Sequence, residues 1–352
     1  MIENKVIEKV GIIYLNRPDK INALNLSMVD QIYYILKSWE SDKNINVVLF
    51  DSLSSKGFSA GGDLKEIYYD YLINDNCKDK DLLFKKEYDL DKYIKSYSKP
   101  IISHWHGIVM GGGVGLSINS DLIVCEKTTN WAMPETSLGF VPDVGVQKYI
   151  SNLPQALGQY IGLCGVSLNS YDLIKYDLAD IELSQIAYEK FLKTLYKLSN
   201  TYAGEDLINQ LKNQLEKTNN ILKDSYIQNN MEKIEKYFSL SSMEEIFNKL
   251  NSNLNDEFAR KTYENLSYKD PFILTLQFEK YFVCKKLTYE QTIDLDLKIV
   301  QYAITTKSIN EGIRSKIIDK DNHPNWPVQN FNQINETDIK NLLDIKKLYK
   351  DI

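Results

Sequence analysis

The stretch from His106 to Val144 constrains the fold most tightly. An apolar run ends in Gly111-Gly112-Gly113-Val114-Gly115, and Met133-Pro134-Glu135 and Pro142-Asp143 follow. Successive glycines after a strand-like segment let backbone approach other backbone, or a ligand, where no side chain would fit. Glu135 and Asp143 each come directly after a proline, whose fixed φ presents them on rigid, irregular chain. Donor N–H groups in a turn, combined with fixed acids, suit carbonyl chemistry. This stretch is therefore the candidate active site.

A second junction of the same kind, Phe58-Ser59-Ala60-Gly61-Gly62-Asp63-Leu64, lies upstream. Two such turns on different strands can each aim one N–H at a single oxygen, as in an oxyanion hole, where one donor is typically worth about 10²–10³ in rate. The glycines do not have the G-x-G-x-x-G spacing of a dinucleotide site, and no Gly-Lys-Ser/Thr follows them as in a P-loop. Close helix–strand packing is the alternative role for a lone cluster. Glu135 and Asp143 have largely apolar neighbours, which suits an acid, a base or a nucleophile; surface carboxylates are the competing reading. Glu87, flanked by Lys85 and Lys86, reads on its own as part of a solvated helix face. The three histidines form no triad pattern, and His106 reads as packed or backbone-bonded. No His/Cys/Asp group at ligand spacing is visible, so no metal is expected.

Elsewhere the pattern alternates. Val10–Leu15, Val47–Phe50, Ile101–Trp105 and Leu122–Cys125 read as buried strands, the first ending at the turn Asn16-Arg17-Pro18-Asp19. Ser27 is placed to cap a helix whose apolar face is Met28, Ile32, Ile35, Leu36 and Trp39. Residues 64–97 read as helical, interrupted near Asn74–Lys80. The strand, glycine turn, helix order runs to about residue 181 and indicates an α/β architecture. From about Ser184 the chain becomes Lys/Glu/Leu-rich with long helical periods. Ser242 with Glu245, and Thr288 with Gln291, predict capping boxes, Pro271 predicts a break, and His323–Pro327 starts a less regular tail.

A chain of 352 residues can bury a large core, and a net charge of −6 argues against nucleic acid as the main partner. The four cysteines are far apart without a CxxC, as expected of reduced thiols. No apolar run approaches the length of a membrane span, and the N-terminus enters a strand-like pattern without a recognisable presequence.

Taken together, these residues resemble the crotonase (enoyl-CoA hydratase/isomerase) superfamily and, within it, the 3-hydroxyisobutyryl-CoA hydrolase branch. The likeness runs through Leu15–Pro18, Asn22-Ala23-Leu24, Phe58–Leu64, His106–Leu116, Ala132–Thr136 with Gly139, and Pro142–Gly145. It continues into Glu311–Arg314 and Asp319–Asp321. The resemblance implies a crotonase-like spiral of ββα units over residues 1–185, followed by an extended α-helical C-terminal region over 186–352. It implies an oxyanion hole from the N–H groups of Gly62 and Gly112, an acyl-CoA site at Glu87, Gly112, Glu135 and Asp143, and catalysis by Glu135 and Asp143. Hydratases of this superfamily use two glutamates, and Gly115 stands where the first would be. The implied reaction is thus hydrolysis of a short 3-hydroxyacyl-CoA, foremost 3-hydroxyisobutyryl-CoA of valine breakdown. CoA enters as part of the substrate and no cofactor is required.

Two alternatives stay open: an enoyl-CoA hydratase or isomerase, and a structural subunit of the mitochondrial ribosome, the one case in which nucleic acid would be a partner. The implied compartment is the mitochondrial matrix in a eukaryote or the cytoplasm in a bacterium. Relatives often trimerise through C-terminal helices, and homo-oligomerisation is left open here. Ser59 (often Cys in the branch) and Val146-Gln147 (where more glycines are usual) depart from the pattern, and both bear on the acyl pocket or its entrance.

Overall fold

The computed structural model describes residues 1–215 and 224–347. Its described part forms two compact units, each assembled from three separated segments: Met1–Gly62, Lys86–Trp131 and Leu168–Ile227 in the first, Asp63–Lys85, Ala132–Ser167 and Gln228–Ile352 in the second.

Among the described residues there are nine short strands, all in the first unit except the last residue of β8: β1 Ile2–Ile7, β2 Val10–Leu15, β3 Val47–Ser52, β4 Gly57–Ser59, β5 Ile101–Trp105, β6 Ile108–Met110, β7 Leu122–Cys125, β8 Asn130–Ala132 and β9 Ile181–Glu182. Six of them form a sheet in the order β1-β2-β3-β5-β7-β9, and β4-β6-β8 form a smaller one. Only β1 and β2 pair antiparallel in the large sheet; its other neighbours are parallel. The pattern of strand pair followed by helix is the crotonase spiral. Strands β3, β5 and β7 are buried at nearly every position because a parallel sheet is covered on both faces. On one face Val10, Ile12, Leu49, Ile102 and Val124 pack against Tyr188, Phe191, Leu195, Leu207 and Leu211. Those side chains come from the helices Gln185–Ser199 and Gly204–Gln214, so the start of the helical region completes the sheet's core. Gly11 lets Trp39 close on β2, since a Cβ there would lie 2.6 Å from the indole.

Local signals resolve differently in three places. The helix Leu26–Glu40 is capped by Asn25, whose side chain accepts the Met28 N–H, rather than by Ser27; Val29 is buried in place of the half-buried Ile35. Thr288 and Gln291 form a complete capping box. Ser242 accepts the Glu245 N–H, but the Glu245 carboxylate turns to Ser241 instead. Pro271 opens the helix Pro271–Cys284 behind the cap Asp270, the position where a missing N–H costs nothing.

That helix is the axis of the second unit. It is buried nearly all round, with Phe272, Ile273, Leu276 and Cys284 in one cluster with Val141, Leu295, Ile299 and Ile339. Gly158 and Gly162 of the helix Gln155–Cys164 sit directly against its Tyr281 and Gln277. All four cysteines are free, and no described helix is long and apolar enough to cross a membrane.

The first unit also holds a buried polar chain that sequence spacing did not reveal. His104 Nδ1 lies 2.9 Å from Asp51 and Nε2 3.3 Å from Glu126, and the ring stacks on Tyr188, whose hydroxyl donates to Asp51 at 2.9 Å. Burial alone would depress the His104 pKa, but the bonds to Asp51 and Glu126 outweigh it and raise the value. Glu126 is lowered, chiefly by its bond to His104. A raised imidazole adds stability below its unfolded pKa and loses it as pH rises through the folded value. A lowered carboxylate adds stability above its unfolded pKa and loses it as pH falls. The difference in urea midpoint between wild type and His104→Gln should therefore be largest between about pH 4.5 and 6.5 and shrink on either side.

Candidate active site

In the first unit the two glycine junctions lie back to back. Gly61, at φ +94°, comes so close to the second junction that a Cβ would stand 3.1 Å from Met110 O and 3.4 Å from Gly112 N. Gly111, at φ 49° and ψ −124°, makes the turn from β6 into the short helix Gly112–Gly115 in a conformation that suits glycine alone. Any side chain on Gly112 would overlap Glu87 Oε1 and would put its Cβ 3.5 Å from Gly62 N. Glycine at 112 is thus what leaves the space before the Gly62 N–H open. Gly62, Gly112 and Glu87 thus lie together.

The Asn22-Ala23-Leu24 segment buttresses this arrangement. Asn22, buried and at φ 54°, donates to Phe58 O and Ser52 Oγ, each at 2.8 Å, while the Leu24 N–H donates to Gly61 O at 2.7 Å. Ser59 is fully buried; its hydroxyl donates to Asn22 O at 3.0 Å and accepts the Gly61 N–H at 3.2 Å. The departure at Ser59 is therefore a brace behind the first junction.

Glu87 lies on the helix Leu82–Lys95 and is only 5% exposed, which overturns the solvated-face reading. Asp91, one turn later, is 1% exposed and was missed; its i,i+4 spacing from Glu87 was the available signal. His106 accepts the Phe58 N–H on its carbonyl, and burial, reinforced by His104, lowers its ring pKa and keeps it neutral. Its ring, the His104 ring and the Asp51 carboxylate offer ligand atoms within 4.8 Å of one another, so a His/Asp group does exist. This corrects the sequence reading. Both ring nitrogens of His104 face carboxylates, however, so the imidazole is already engaged within a buried polar chain.

The second unit carries Glu135 and Asp143, both buried. Glu135 begins the 3-10 turn Glu135–Leu138, which Gly139 ends at φ 78°. The turn is boxed in closely: a Cβ on Gly139 would strike the Ser308 backbone, and one on Gly312 would strike that of Leu138. This explains Glu311-Gly312-Ile313-Arg314. Gly312 permits the contact, and Arg314 reaches Glu311, Asp319 and Asp321 at 2.6–2.8 Å to hold the following turn. Beneath Glu135 lies Lys269, which sequence reasoning missed. Its ammonium donates to Thr136 Oγ1 at 2.9 Å, Leu163 O at 2.7 Å and Cys164 O at 2.9 Å.

Asp143 occupies a strained turn. Val144 takes φ 50°, a conformation that costs a β-branched residue on the order of 1–3 kcal/mol, and Gly145 takes φ 71°. Pro142 O accepts from Lys280 at 2.5 Å, Val144 O from Tyr289 at 3.1 Å, and the Gly145 N–H donates to Asp296 at 2.8 Å. Gln147, the other departure, is buried and accepts from Gln277 at 2.8 Å.

The family model for enoyl-CoA hydratase/isomerase matches residues 10–343. The 3-hydroxyisobutyryl-CoA hydrolase, mitochondrial, of Danio rerio is 32% identical over 326 residues, 91% of this chain and 83% of that one. The Homo sapiens protein of the same name is 30% identical over 347 residues, 96% of this chain and 88% of its own. Among solved structures, a carnitinyl-CoA dehydratase from Mycobacterium thermoresistibile superposes with a TM-score of 0.84 at 26% identity, covering 97% of this chain and 96% of that one. An enoyl-CoA hydratase from Rhodobacter sphaeroides 2.4.1 gives 0.85 at 25% identity, covering 97% of each chain.

Burial lowers the Lys269 pKa to about 8, with smaller opposing effects from Cys164 and Glu135 and a reinforcing one from Lys316. A depressed folded pKa means that the unfolded chain holds the proton more tightly. The stability linked to this group is full above its unfolded pKa of about 10.4 and is lost as pH falls through about 8. Relative to Lys269→Met, wild-type stability in denaturant titrations should rise across that interval; a flat difference would refute the assignment.

Proposed function

The chain belongs to the enoyl-CoA hydratase/isomerase family, and from that premise we propose that it hydrolyses a short 3-hydroxyacyl-CoA thioester. The substrate that fits best is 3-hydroxyisobutyryl-CoA, giving 3-hydroxyisobutyrate and CoA in valine degradation. The observation that carries the choice of hydrolysis over hydration is Gly115, which has no side chain to serve as a second acid–base group, set beside the buried carboxylates Glu135 and Asp143. The names of the relatives support the same reading.

In this proposal the N–H groups of Gly62 and Gly112 donate to the thioester oxygen and stabilise the negative charge that develops on it. Glu135 either attacks the carbonyl carbon, forming a mixed anhydride as the C–S bond breaks, or takes a proton from the attacking water. Asp143 orients the water and moves its proton, and Glu87 binds the acyl hydroxyl. CoA leaves as a thiolate, a good leaving group, so the mechanism calls for no metal or separate cofactor. A mitochondrial location accords with the relatives' names.

Glu135→Ala should lower kcat by about 10²–10⁴-fold, as expected for loss of a general base; near-normal turnover at unchanged KM would remove Glu135 from the reaction. Gly112→Ala, which crowds Glu87 and the approach to Gly62, should cost about 10²–10³ in kcat while circular dichroism is unchanged. A panel of acyl-CoAs tests the substrate, and crotonyl-CoA tests the hydratase alternative directly. A single turnover in ¹⁸O water tests the covalent route, because label enters the Glu135 carboxylate only when a mixed anhydride forms and water opens it at the Glu135 carbonyl. Co-sedimentation with ribosomal particles by a protein lacking hydrolase activity would favour the scaffold reading.

A further inference from the structure

We propose that Lys280, Asp296 and Tyr289 form a clamp that positions Asp143 for catalysis; this rests on the reading of Asp143 as the group that handles water. Lys280 and Asp296 pair at 2.5 Å with both side chains fully buried. A buried ion pair is a poor source of stability, since apolar side chains of similar volume in its place are often neutral or better. What it supplies here is direction. The ammonium holds the carbonyl just before Asp143, and the carboxylate holds the N–H two residues after it. Between those points Val144 takes its left-handed conformation, and the Tyr289 hydroxyl holds its carbonyl.

The three grips come from rigid supports. Lys280 lies on the helix Pro271–Cys284, and Tyr289 and Asp296 lie on the helix Tyr289–Thr305 behind its capping box. The Tyr289 ring also fills the space where a Cβ on residue 145 would go, which leaves only glycine there. Ungripped, Val144 would relax to the ordinary β or α region and swing the preceding carboxylate. Lys280, Asp296 and Tyr289 are positioning residues, and their effect should fall on kcat, because an error of about 1 Å in a reacting group can cost about 10²-fold.

The test is the double variant Lys280→Met/Asp296→Leu, which removes both charges together and keeps the volume filled. The expected result is a thermal midpoint close to wild type, KM within about threefold, and kcat lowered about 10–100-fold. Adding Asp143→Asn to this background should cost less than about threefold, although alone it should cost far more, because the two changes remove the same contribution. A folded double variant with wild-type kcat, or losses that simply multiply, would overturn the clamp. If the double variant does not fold, Tyr289→Phe deletes a single hydroxyl. It should lower kcat about three- to tenfold, again without adding to Asp143→Asn, and full activity would overturn the clamp. Asp143→Asn with wild-type turnover would instead overturn the reading of Asp143 itself, whatever the clamp variants do.

Discussion

The contact between the two glycine junctions of the first unit is the constraint on which the candidate site depends. Backbone meets backbone there: Met110 O and Gly112 N stand where a Cβ on Gly61 would need room. Such proximity exposes bare N–H groups, and it needs support from behind because the glycines contribute no side chains to packing. Asn22 and Ser59 provide that support through buried hydrogen bonds, so motif residues that touch no reacting atom still determine the site.

The second unit handles the same difficulty with charge. Lys269 sits under the Glu135 turn and the Lys280–Asp296 pair beside the Asp143 turn, all three deeply buried. Ionised groups in such places are costly unless fully bonded. Each of these bonds backbone or side-chain atoms within a residue or two of Glu135 or Asp143. Their contribution lies in fixing irregular chain that no helix or strand ladder holds.

Much of this was legible in the sequence because it is written locally. The apolar strands, both glycine junctions, the proline-led acids and the Thr288 cap each show within a few residues, and the family resemblance gave the spiral. Glu87 reads alone as solvated because its neighbours in sequence are lysines, and the resemblance alone lifts it from that reading, whereas its own face of the helix is buried with Leu83 and Asp91. The Asp51–His104–Glu126 group, the bond from Lys269 to Thr136 and the bonds that tie Lys280 and Asp296 to the Asp143 turn bring together residues from distant parts of the chain, more than a hundred positions apart in the last two cases. No periodicity reports such meetings.

Each compact unit is stitched from three stretches of chain, and that affects how the protein comes into being. During synthesis, the sheet of the first unit cannot cover its apolar face until the helix ending at Gln214 has been made. The second unit must keep Asp63–Lys85 waiting for helices that begin after residue 228. Contacts so distant in sequence slow folding and leave apolar surface exposed in the meantime. A nascent chain stalled near residue 185 would hold an uncovered sheet, a natural target for a chaperone and for aggregation.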